Sequence, residues 1–239
     1  MRILSFLPAS AASLLVSTAA LADPADWSGF YLGGAVGAQF GNAHFALPGD
    51  KSDALKSTHG DGTNFTGGGL AGFNFQSDNF VYGVEGEVMG GSGTSSVTAC
   101  TVPDGCFVTT HDSFTTYNHL KTGTSERLRA RFGLVAGDML FFAAGGYSHA
   151  DSKLSLVGDC YNSADPTVPL VFNYARSRQV SGFNLGLGAE YSLGSFFLRG
   201  EYVFDDYGSG IWKGDGAEWN DRRISLNDNL LRAAIGIRL

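Results

Sequence analysis

Charge is scarce in this chain: Asp, Glu, Lys and Arg make up 16% of its 239 residues, where ordinary soluble domains carry roughly 25%. Yet 44% of the residues are hydrophobic, which excludes a disordered chain, because that state needs low hydrophobicity and high charge. A basic excess is missing too. The formal charge of −7 gives no footprint for nucleic acid. With six prolines and no G-X-Y period, the chain is not collagenous. Past residue 22 there is no run of 18 apolar residues, so no transmembrane helix is expected. Glycine, by contrast, is abundant, at 34 residues. Each glycine inside a helix costs about 1 kcal/mol relative to alanine, which argues against a helical bundle.

Residues 1–22 read as a secretory signal peptide. Arg2 opens a short positive segment, and Ile3 to Val16 is apolar apart from Ser5, Pro8, Ser10 and Ser13. Ala20-Leu21-Ala22 supplies the small-x-small cleavage pattern. The run is too short and too interrupted for a membrane anchor. Residues 23–239 are therefore expected to form one exported domain.

Beyond Asp26 the hydrophobic period is 2, the period of strands. Phe30, Leu32, Val36, Ala38 and Phe40 alternate with small or polar residues, as do Phe80, Tyr82, Val84 and Val88. The same holds for Leu128 to Leu134, Phe183 to Tyr191, Phe196 to Phe204, and Leu231 to Leu239. Two more strands run from about Thr63 to Gln76 and from Met139 to Ser148; the second is apolar on both faces, which leaves its phase open. That makes eight. Tight turns at Gln76 to Asn79, Gly137-Asp138 and Leu193 to Ser195 alternate strictly with long polar connections at Gly41 to Gly62, Gly90 to His119, His149 to Gln179 and Gly208 to Asp228. Loops this long are uncommon in compact soluble domains. Long extracellular loops opposite short periplasmic turns are how outer-membrane barrels are built. The expected fold is all-β: an eight-stranded antiparallel transmembrane up-and-down barrel with short periplasmic turns and four long extracellular loops.

The polar phase of these strands carries Glu85, Glu87, Arg127, Arg129, Arg131, Glu190, Arg199, Glu201, Arg232 and Arg238, and no lysine. A solvent-facing set would favour lysine, whereas arginine suits carboxylates held at low dielectric. A soluble barrel of the lipocalin kind, with its apolar face inward, is thereby disfavoured. Counting from the tight turns sets Glu85 and Glu87 level with Arg131 and Arg129, Glu190 near Arg199, and Glu201 near Arg232. Opposite signs on neighbouring strands predict a paired charge network in the lumen, with the apolar phase facing lipid. An eight-stranded barrel is just wide enough to be filled by side chains. Inward glycines such as Gly83, Gly133, Gly186 and Gly188 leave room for the long Arg and Glu chains. A filled scaffold is expected rather than a pore.

With these motifs in place the chain resembles the eight-stranded outer-membrane proteins of alphaproteobacteria, the porin-like or opacity-protein-like family. Asp26-Trp27-Ser28-Gly29-Phe30-Tyr31-Leu32-Gly33-Gly34, Val81-Tyr82-Gly83-Val84-Glu85-Gly86-Glu87 and Arg129-Ala130-Arg131-Phe132-Gly133 carry the resemblance. So do Leu198-Arg199-Gly200-Glu201-Tyr202 and the closing Leu231 to Leu239. It covers the barrel strands and none of the long loops. It implies location in the cell outer membrane, a last strand read by the barrel-insertion machinery, and, from some members, haem binding. That family usually ends in an aromatic residue, whereas this chain ends in Leu239. Recognition is then expected to lean on Ile235 and Ile237 as well.

The remaining motifs have plainer readings beside their functional ones. Gly67-Gly68-Gly69-Leu70-Ala71-Gly72 matches the dinucleotide fingerprint, but it runs on into the strand residues Phe73-Asn74-Phe75, where the motif requires a helix. Small residues in a crowded wall explain it better. Cys100 and Cys106 flank the turn sequence Pro103-Asp104-Gly105, so export makes a disulfide the expected state; Cys160 is left over. His44, His59, His111, His119 and His149 fall in or beside the long loops. They are weak candidates for haem ligands, and solvated loop histidines are the plainer reading. No G-x-S-x-G or metal-ligand spacing stands out, so neither an enzyme nor a bound cofactor or metal is expected. The expected role is structural and surface-exposed, supporting envelope integrity and surface contacts. The alternative is a haem or other ligand receptor using the loops; a narrow porin or an outer-membrane enzyme ranks lower. Expected partners are outer-membrane lipid and lipopolysaccharide, the insertion machinery during biogenesis, and a host or surface ligand at the loops. Asp50, Asp53, Asp61 and Asp215 are candidates to bridge to lipopolysaccharide through divalent cations.

Overall fold

The computed structural model describes residues 25–46, 58–91, 93–100, 113–162, 165–213 and 222–239, with backbone alone in the outermost parts of several strands. Alternating apolar and polar residues form nine ladder segments: β1 (Gly29–Ala46), β2 (Thr58–Ser77), β3 (Phe80–Gly91), β4 (Gly93–Cys100), β5 (Ser113–Ala136), β6 (Met139–Asn162), β7 (Asp165–Leu193), β8 (Phe196–Trp212) and β9 (Arg222–Arg238). Neighbours pair antiparallel, and β1 pairs with both β2 and β9. β3 and β4 both pair with β5, so together they occupy one position in the ring. The sheet thus closes into an eight-stranded up-and-down barrel. Closure leaves no unpaired edge within the wall, the condition for crossing lipid with strands.

One face of the ring is apolar and exposed. Phe30, Leu32, Phe73, Val84, Phe132, Leu187, Leu198 and Ile235 all point outward. The structure settles the phase of β6: Leu140, Phe142 and Ala144 are buried, while Phe141 and Tyr147 are exposed. The long connections contain far more strand than their sequences suggest. The β1–β2 ladder continues to Phe45 opposite Thr58, β5–β6 to Ser113 opposite Tyr161, and β6–β7 to Asn162 opposite Asp165. These extensions leave the lipid band, so their outward positions lose the apolar signal that marks a membrane strand. The ladder hydrogen bonds persist without it.

Candidate functional site

Because the side-chain period is 2, each strand that turns an apolar residue outward turns its next residue inward. Five arginines, four glutamates and two aspartates are buried inside the barrel: Arg127, Arg129, Arg131, Arg199, Arg232, Glu85, Glu87, Glu190, Glu201, Asp205 and Asp228. Glu190 faces Arg199 and Glu201 faces Arg232 across their strands. Between β3 and β5, however, Glu85 faces Arg129 and Glu87 faces Arg127. Counting from the turns is therefore wrong by two residues there. β3 and β5 are not joined by a tight turn, and barrel closure demands a stagger that flush counting ignores. An even offset keeps every side chain on the same face.

The ion pairs form one connected layer. Glu85 accepts from Arg129 and, at 2.7 Å, from the Tyr31 hydroxyl, and lies 2.7 Å from Arg199. Arg129 also reaches Glu201 at 2.5 Å and Glu87 at 3.2 Å. Arg232 spans Glu87 and Glu201, at 2.6 Å each. Glu190 is shared by Arg131 at 2.7 Å and Arg199 at 2.6 Å. Arg127 donates 2.7 Å to Glu87 and forks onto Asp205 at 2.8 and 2.6 Å. Asp205 also accepts from the Ser148 hydroxyl at 2.6 Å, and Asn184 holds that hydroxyl at 3.0 Å. The Arg131 guanidinium lies 4.3 Å from the centre of the Phe142 ring. Forked, charge-assisted bonds of this kind offset the desolvation of so many ions.

Two apolar clusters bracket the layer. On the turn side lie Trp27, Tyr31, Val81, Val135, Leu140, Phe197 and Ala234, with Ala35, Leu70 and Met89 continuing the cluster along one wall. On the other side lie Ala43, Leu120, Ala150, Leu154, Val180, Tyr207, Trp212, Ile224 and Leu226. Arg238 does not join the charged layer. It stacks 4.4 Å from Trp27 and donates to Ser192 and to the Gly194 carbonyl at the turn end. Its place near the end of β9 sets it at the turn end, beside Trp27. Trp27 is itself pinned, its backbone N–H donating to Gln76 at 2.8 Å.

The interior is crowded enough to dictate small residues. A Cβ on Gly186 would lie 2.6 Å from Glu201 Oε1 and 3.1 Å from Arg129 Nη1. Tyr31, Asp205, Asp228 and Gln39 also belong to this interior, beyond the charged set read from the sequence. Asp205 shares the phase of Arg199 and Glu201, a usable signal. Asp228, held by Gln39 at 2.6 Å and directly opposite Asp205, lies where the sequence reads as loop.

The ladder sets His44 on β1 directly opposite His59 on β2, and the other described histidines stand apart. His44, His119 and His149 stand half-buried on β1, β5 and β6. His119 is level with Ser155, six residues or roughly 20 Å along the strand from His149, and β1 lies across the ring from β6. His149 Nδ1 is 3.0 Å from the Ser181 hydroxyl. Among the described residues no three His, Cys, Asp or Glu side chains converge to hold a metal ion. The side chains of His59, His111, Cys100, Cys106, Cys160, Asp50, Asp53, Asp61 and Asp215 lie outside the described residues. Ile235 and Leu239 are exposed at the end of β9 and Ile237 is half-buried beside them. The glycines of Gly67 to Gly72 lie within β2, with no helix following.

The comparisons with known proteins agree with this architecture. No curated protein sequence matches the chain. Among solved structures it is similar to the outer membrane protein OprG of Pseudomonas aeruginosa, at 11% identity and a TM-score of 0.52 over 89% of this chain and 97% of that one. It is also similar to the outer membrane protease OmpT of Escherichia coli, at 10% identity and a TM-score of 0.46 over 88% and 97%. Ail of Yersinia pestis, solved with the heparin analogue sucrose octasulfate, matches at 14% identity and a TM-score of 0.34 over 87% and 99%. At 11% identity the likeness to OprG is one of fold. The family model for the outer membrane protein beta-barrel domain matches residues 9–230. The chain therefore belongs to the outer membrane protein β-barrel family and resides in the cell outer membrane.

Proposed function

We propose that this protein is a closed outer-membrane anchor. Its barrel carries no solute and performs no chemistry of its own, and it holds extended β-ribbons at the cell surface for envelope integrity and surface contacts. The observation that carries this reading is the connected Arg–Glu–Asp layer bracketed by two apolar clusters. Ions entering from either side meet a dry apolar zone before they reach fixed, already paired charges. The absence of chemistry rests on the state of the acids: each glutamate of the layer is held by two or more arginines, which keeps it from serving as a free general acid or base. Residues 1–22 serve as the cleaved export signal in this reading, and the mature N-terminus at Asp23 is checked by intact mass. The decisive measurement is ion conductance of the full chain in planar bilayers. We expect none above the lipid background; stable single-channel steps would overturn the closed anchor.

A further inference from the structure

Lys121 on β5 and Lys153 on β6 are directly opposite each other in the ladder. Like charges at such a pair, with Cβ atoms roughly 4.5–5.5 Å apart, destabilise a sheet. Both side chains are exposed, and neither ammonium has a carboxylate partner among the described residues. Lys153 is also level with Ser177 of β7. The three strands form a shallow cleft of about 360 Å³, with Lys121, Gly123, Asp151, Lys153, Ser177 and Gln179 on its lining. Gly123 lies in the ladder irregularity between Thr122 and Ser125, which opens the floor without a side chain. Arg178 lines the cleft but directs its guanidinium to the Ile211 carbonyl and over Trp212. Asp151 stands on the same face as Lys153, two residues nearer the membrane.

Height identifies the neighbour. The apolar outward face ends on these strands at Leu128, Tyr147 and Phe183. Lys153 lies six residues beyond Tyr147, roughly 20 Å along the strand and about 15 Å above the apolar band after tilt. Acyl chains lie below that level, and the pair faces sideways rather than up. What surrounds a barrel there is the saccharide of lipopolysaccharide, whose inner sugars bear phosphates. We propose that Lys121 and Lys153 form a two-armed site for a phosphorylated sugar of neighbouring lipopolysaccharide. This deepens the reading of the protein as a surface-contact anchor and rests on it. Two flexible ammonium groups hold a phosphate as point charges, and the bound anion relieves the repulsion between them.

The test uses the full chain in detergent with EDTA, titrated with purified rough lipopolysaccharide carrying a phosphorylated inner core, or with the same core dephosphorylated. Native mass spectrometry reads the bound fraction. The phosphorylated form should bind roughly tenfold tighter. Lys121→Gln with Lys153→Gln should erase that difference, and Lys121→Arg with Lys153→Arg should keep it. Lys121→Gln alone should raise the unfolding temperature of the ligand-free barrel, because it removes a like-charge pair; a fall would assign the lysines a structural role instead. Unchanged binding by the glutamine variant overturns the site. So does loss of binding in EDTA, which would mean a divalent cation bridging through Asp151. Binding of inositol hexakisphosphate without binding of lipopolysaccharide would overturn the lipid source. Conductance is blind to these lysines, so a leaking barrel that still binds sinks the closed lumen alone, and a closed one that does not bind sinks only this site.

Discussion

Arg129 touches three carboxylates, those of Glu85, Glu87 and Glu201. Its removal leaves three acids short of a partner in a dry interior. Breaking a buried pair in this way costs about 3–5 kcal/mol, so Arg129→Ala should lower the thermal unfolding midpoint in detergent well below that of wild type. Arg129→Lys should recover only part, because a compact ammonium cannot reproduce the spread of planar donors by which the guanidinium reaches acids on different strands. An unchanged midpoint for Arg129→Ala would mean that the layer carries no stability. Asp228 makes the opposite prediction. It faces Asp205 directly, and its described hydrogen-bond donor is Gln39. Asp228→Asn keeps an oxygen for Gln39 and removes a like charge, so the midpoint should rise, by about 0.2–1 kcal/mol in stability. Asp205→Asn should lower it, because Asp205 is forked onto Arg127. The arginines and glutamates are legible in the sequence because charge at every second position of an apolar strand marks a polar interior when the other face must meet lipid. Tyr31 is not, since one more aromatic in a glycine-rich segment carries no mark of its inward hydroxyl. The β3–β5 register is not legible either, because the stagger belongs to the closed ring and not to any single strand.

At the scale of the element, β9 decides whether the ring closes. It pairs with β8 on one side and β1 on the other, and the Leu239 N–H donates to the Phe30 carbonyl at 2.8 Å. Ile235 and Leu239 stand exposed on its lipid side, Leu239 at 74%. If Ile235, Ile237 and Leu239 form the signal read during insertion, a larger apolar group at the end should strengthen it and a charge should weaken it. Leu239→Phe should raise the fraction of chain that migrates in the folded, heat-modifiable form in membranes, and Leu239→Asp should lower it. Equal fractions for all three chains would remove residue 239 from that signal. The strands inside the lipid band were readable because one face must be apolar there. The extensions of β5, β6 and β7 were not, although their ladders run on to Ser113, Asn162 and Asp165. A hydrogen-bonded ribbon in water needs no such face, so hydrophobic period cannot report it.

For the whole molecule, the two apolar clusters and the charged layer are barriers in series, and permeation requires a gap through all three. Removing one should not open the barrel. In Trp27→Ala with Phe197→Ala, the turn-side cluster loses two of its largest side chains, yet the ion-pair layer and the far cluster remain. Planar-bilayer conductance should stay at background. Adding Arg129→Ala and Arg199→Ala thins the layer, and adding Trp212→Ala with Tyr207→Ala thins the far cluster. Only the combined variant should conduct, with each chain first shown to be folded by its heat-modifiable migration. If the combined variant does not fold, chains with two of the three barriers thinned carry the same test: each should stay at background while its third barrier remains, and conduction by one of them would remove that third barrier from the seal. Conduction by the Trp27→Ala, Phe197→Ala chain would mean that a single plug at the turn end does all the sealing. The charged layer would then be a conduction path, and five arginines packed among six acids would act as a selectivity element instead of a wall.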